Sequence, residues 1–82
     1  MKIGDKLLKV LNKKYAPEQM INQRFERYDI SFKTDQEGNP ILLFIGTTGM
    51  GGKINGERFT RVLKKDKDGQ ILKDHWDAKG KT

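Results

Sequence analysis

Asp35-Gln36-Glu37-Gly38 and Asp66-Lys67-Asp68-Gly69 are two copies of one motif: an Asp, a free position, an acid and a Gly. Each copy ends one stretch rich in β-forming residues and precedes another. In each, the Gly supplies the positive φ that closes a type I turn with a one-residue bulge. Two such turns predict two hairpins, so the C-terminal two-thirds of the chain reads as antiparallel sheet.

Working outward from the first turn, Tyr28, Ile30 and Phe32 alternate with Asp29, Ser31 and Lys33. That period of two is the pattern of a half-buried strand. After the turn, residues 41–45 are Ile-Leu-Leu-Phe-Ile, with no polar face, which predicts a central strand covered on both sides. If Asp35 pairs with Asn39, Phe32 lies opposite Leu42 and Ile30 opposite Phe44. Residues 46–52 hold four glycines and read as a flexible connection. Residues 53–65 read as a long strand with a bulge at Gly56, and residues 71–77 as its partner. Pairing Asp66 with Gln70 sets Thr60 opposite Trp76 and Arg61 opposite His75. Residues 78–82 lack apolar anchors and are expected to fray.

Upstream, Ile3, Leu7, Leu8, Val10, Leu11 and Tyr15 fall within an arc of about 160° on a helical wheel. Lys2, Lys6, Lys9 and Lys13 take the other side, so residues 3–15 read as an amphipathic helix. Pro17 and Glu18 suit a second helical start, which would carry the helical region to residue 23. The expected fold is therefore α+β, one domain over residues 1–82: an N-terminal amphipathic helix packed on a four-stranded antiparallel meander spanning 24–77. A small, partly open β-barrel is the alternative. The layout resembles that of cystatin-like and related helix-on-meander folds, but no motif of such a family is present, so no function follows.

The 82 residues contain no Cys, which excludes disulfides, thiolate catalysis and Cys-ligated zinc. The longest apolar run, residues 41–45, is far too short to span a bilayer. No uninterrupted apolar leader follows Met1, and a soluble, cytoplasmic protein without a membrane partner is expected. The formal net charge is +6, concentrated in residues 1–23 and 49–82. Such charge attracts nucleic acid, anionic lipid or acidic protein.

Several motifs fail on count. The Gly-rich stretch ending at Lys53 has Thr47 where a P-loop needs Gly, and Ile54 where it needs a hydroxyl. Two Gly-x-x-Gly matches in it follow β-like sequence, not the helix a KH loop requires. The second Asp turn, set on a calcium loop, would start at Lys64 and end at His75, where carboxylates are needed. The chain has one His, so no multi-His metal site exists, and no cofactor is implied. No hydroxyl is marked as activated, and the chain reads as non-catalytic.

What remains is a basic surface with aromatic neighbours. The candidate binding residues are Lys53, Arg58, Arg61, Lys64, Lys65, Lys73, His75 and Trp76. The leading expectation is a binding module for a protein partner or a second copy of itself. The alternative is nucleic-acid binding through the basic residues of the third and fourth predicted strands.

Overall fold

The computed structural model describes residues 3–82. Lys2, placed by the sequence on the polar helix face, lies outside them. One short helix, α1 (Asp5–Leu11), precedes five strands: β1 (Met20–Phe25), β2 (Tyr28–Thr34), β3 (Pro40–Thr48), β4 (Ile54–Lys65) and β5 (Ile71–Lys81). They form one open antiparallel sheet in chain order. No helix among the described residues is long and apolar enough to cross a membrane.

Both Asp turns form, and by the same bonds. The Asp35 carboxylate accepts the N–H groups of Glu37 and Asn39, each at 2.9 Å. The Asp66 carboxylate accepts those of Asp68 and Gln70, also at 2.9 Å. Gly38 and Gly69 carry φ of 83° and 84°, the left-handed region glycine enters without strain. The Asp side chain thus satisfies turn donors that no strand can reach.

The register beyond each turn differs from expectation, and identically in the two hairpins. Thr34 pairs with Pro40, but Lys33 pairs with Leu42, leaving Ile41 as an extra residue. Lys65 pairs with Ile71, but Lys64 pairs with Lys73, leaving Leu72 extra. Each is a bulge one residue past the turn, beyond the one the turn itself contains. A slip of one exchanges the faces of every later residue. Phe32 therefore meets Leu43 and Ile30 meets Ile45, not Leu42 and Phe44. In the second hairpin Arg61 meets Trp76, Val62 meets His75 and Thr60 meets Asp77.

The fifth strand is β1, where the sequence suggested a second helical turn. The chain reverses at Pro17–Glu18, with Glu18 at φ 52°. Thr34, 1% exposed, holds this reversal. Its hydroxyl donates to the Ala16 carbonyl at 2.7 Å and accepts the Gln19 N–H at 2.9 Å. The Glu18 N–H goes to the Asp35 carbonyl at 3.0 Å. With Glu18 at positive φ and residues 16–19 tied to the end of β2, no helix starts at Pro17, and residue 20 enters the sheet. Ile21 and Phe25 then pair with Phe32 and Tyr28. The β1–β2 loop, Glu26-Arg27, lacks the Gly, Asn or Asp that marks most two-residue hairpins; Glu26 itself takes φ 54°.

Helix α1 is shorter than residues 3–15. Beyond Asn12, Tyr15 leaves the helix to donate its N–H to the Gly38 carbonyl at 2.9 Å. Its ring packs on Phe32 at 4.9 Å between centroids. The core is one layer: Leu7 and Leu11 from the helix over Ile30, Phe32, Leu43, Ile45 and Phe59 of the sheet. At the far end β5 does not fray at residue 78. It runs to Lys81, and the Thr82 hydroxyl donates to the Ile54 carbonyl at 2.7 Å.

Only residues 49–53 form the β3–β4 loop, including a 3-10 turn at Met50–Gly52; the preceding glycine lies in β3. Gly46 and Gly56 face each other across these strands. A Cβ on Gly56 would lie 2.1 Å from the Ile45 carbonyl oxygen, and one on Gly46 equally close to that of Asn55. The expected bulge at Gly56 is instead a close backbone crossing, and the irregularity of β4 falls at Arg58, where Lys79 and Gly80 of β5 stand opposite one residue. Gly56→Ala should therefore destabilise the fold by roughly 3 kcal/mol, the upper end of overpacking costs, measured as a lowered urea midpoint.

Candidate binding face and the arginine clamp

The bulge at Leu72 divides the candidate residues between two faces. Arg61, Lys65 and Trp76 share the helix side with Phe59, while Arg58, Lys64, Lys73 and His75 point the other way. Lys53 stands at the tip of the β3–β4 hairpin. The sequence register had grouped Trp76 with Arg58, and Lys73 and His75 with Arg61; the structure reverses both.

Arg61 is committed to structure. Its side chain is 6% exposed. Nη1 donates to the carbonyls of Leu11 and Pro40, each at 3.2 Å, and Nη2 donates to Asn12 Oδ1 at 3.2 Å. Nε and Nη2 form a two-pronged pair with Asp74 at 2.6 and 2.7 Å. The guanidinium also lies 5.5 Å from the Trp76 ring centre. One side chain thus closes the end of α1, holds the start of β3 and binds β5. The planar fork of Arg suits this, and the ammonium of Lys does not. Lys65 pairs with Glu37, tying the two turns together. Trp76 packs against the core.

The face away from the helix is built of cross-strand rows. One row is Asn22, Ser31, Phe44 and Arg58; the next is Met20, Lys33, Leu42, Thr60 and Asp77. Val62 and His75 form a third. Leu42, Phe44 and Val62 are half-buried, so β3 is fully covered only on its helix side. Around them stand Arg24, Lys33, Arg58, Lys64 and Lys73, all exposed. The acids of this face are engaged. Asp29 accepts the N–H and hydroxyl of Thr48 at 3.0 and 2.9 Å. Those bonds hold its carboxyl below the usual Asp range. Asp77 Oδ1 lies 2.7 Å from His75 Nε2. Asp74, on the opposite face, leaves His75 with one carboxylate neighbour, as strand alternation requires. Among the described residues no group of three His, Cys, Asp or Glu could hold a metal.

Arg24, Lys33 and Phe44 were not among the sequence candidates. Lys33 was legible as the polar face of β2. Arg24 fell just past the segment read as helix and was placed in no strand, and Phe44 was assigned to the core by the unshifted register. Comparison with protein-family models, curated proteins and solved structures finds no match for this chain.

The Arg61 hydrogen bonds hold the Asp74 carboxyl below its ordinary value. A lowered native value contributes stability above the unfolded pKa of about 3.9, and that stability is lost as pH falls through the native value. Arg61→Met should cost about 3 kcal/mol at neutral pH by urea denaturation. Its stability should also fall less steeply than wild type as pH is lowered from about 5 to 2.

Proposed function

We propose that this chain is a non-catalytic binding module whose helix-free face takes an acidic segment of a protein partner. The observation that carries this reading is the composition of that face. Leu42, Phe44 and Val62 form a half-buried apolar centre, ringed by Arg24, Lys33, Arg58, Lys64 and Lys73, while both facing acids are engaged locally. An apolar centre inside a polar rim is the usual anatomy of a protein interface. A surplus of one sign on the rim steers a partner of the other sign. The same surplus opposes stacking two copies of this face, which disfavours the homodimer. His75 and Asp77 lie side by side on the outermost strand with 59% and 37% of their side chains exposed, a poor setting for acid–base chemistry.

Nucleic acid is the second reading, and one pair favours it: Phe44 and Arg58 are direct cross-strand neighbours. Ring and guanidinium side by side on an open sheet suit a stacked base and its phosphate.

A glutamate-rich peptide and mixed-sequence single-stranded DNA and RNA serve as probes. On the leading reading the peptide binds at about 50 mM salt, weakens severalfold by about 200 mM, and is lost with the double change Lys64→Glu and Lys73→Glu. Peptide binding that survives those changes sinks the reading. DNA and RNA that fail to bind even at about 50 mM salt remove the second.

A further inference from the structure

Where β1, β2 and β3 meet the tip of the β3–β4 hairpin, the helix-free face deepens into a groove of about 580 Å³. That is within the range of small-ligand pockets. Part of its floor is the row Asn22, Ser31 and Phe44, with Ser31 directly opposite both neighbours. Ser31 is only 8% exposed, yet its hydroxyl takes part in no side-chain hydrogen bond among the described residues. That hydroxyl is reached from the open cavity it lines, so its donor and acceptor are available to a bound molecule. The Asn22 amide beside it adds a donor and an acceptor. Phe44 and Ile54 give the groove apolar surface, and Arg24 and Lys53 give its rim positive charge. The one acid in the lining, Asp29, is bonded to Thr48 and lies 3.8 Å from Arg24.

We propose that this groove binds a nucleotide unit, either free or as one residue of a single strand. The base lies against Phe44, its hydrogen-bonding edge meets the Ser31 hydroxyl and the Asn22 amide, and the phosphate is held by Lys53. An acidic side chain would use the cations but leave the aromatic floor and the Ser31 hydroxyl without a role. A base with its phosphate uses all of them. The site shares Phe44 and Arg24 with the interface proposed above but not Lys64 or Lys73, so the double change at those lysines leaves the groove intact.

The test is a titration of isotopically labelled protein with AMP, GMP, CMP and UMP, followed by amide NMR shifts. At least one nucleotide should give saturable shifts centred on Asn22, Ser31, Phe44 and Lys53. Phe44→Ala should weaken binding about tenfold or more. Ser31→Ala, a near-isosteric change that leaves the fold intact by its unchanged spectrum elsewhere, should weaken it severalfold. Lys53→Gln should weaken the nucleotide and leave the corresponding nucleoside unaffected. A single-stranded hexamer separates the two sources. Much tighter binding through the same residues assigns the groove to a strand, and equal or weaker binding assigns it to the free nucleotide. No saturable shift with any nucleotide or with the hexamer overturns the proposal. So does binding that Phe44→Ala and Ser31→Ala leave unchanged.

Discussion

Two carboxylates decide which side of this sheet is the inside. Asp35 and Asp66 each gather two backbone N–H groups and so fix the same turn, followed in each hairpin by the same additional bulge. That one residue of slip turns Leu43 and Ile45 inward and leaves Leu42 and Phe44 on the open face. It also brings Trp76 beside Arg61 and moves Lys73 and His75 away from both. Every statement about core and binding face inherits its sign from these two places.

The helix depends on a different kind of contact. At seven residues, α1 is too short to persist alone in water. Leu7 and Leu11 bury its apolar side, while Arg61 takes its last buried carbonyl and reaches Asp74 on the outer strand. A nearly buried guanidinium is tolerable because its donors are distributed among carbonyl oxygens, an amide and a carboxylate. The residue that looked most available for binding, a basic side chain beside an aromatic ring, is the one the fold consumes. On the open face Lys33, Arg58, Lys64 and Lys73 have no carboxylate directly across from them, whereas Arg24 lies 3.8 Å from Asp29.

Much of the architecture was legible in the sequence. The Asp-x-acid-Gly motifs located two reversals, and the period of two around Tyr28, Ile30 and Phe32 located β2, because turn chemistry and alternation are local properties. What was not legible came from contacts distant in sequence. Nothing near Ile41 or Leu72 announces a bulge. Residues 20–25 become a strand because Thr34 and Asp35 hold residues 16–19 in a reversal, with Glu18 at positive φ, that points the chain along β2. Pro17 followed by Glu18 is an equally good opening for a helix, and local pattern could not choose. The candidate surface inherited both errors: it included Arg61 and Trp76, now in structural roles, and lacked Arg24 and Phe44.

Strand order has a kinetic meaning as well. Each strand pairs only with its neighbour in the chain, so the ribbon can zip outward from each reversal without first closing a long loop. The link from Arg61 to Leu11 spans 50 residues and needs both ends in place. On these grounds the hairpins and ribbon are expected to form before the helix docks. A form lacking the docked helix would leave the apolar side of the ribbon wet, and the like charge on its other side would oppose its association.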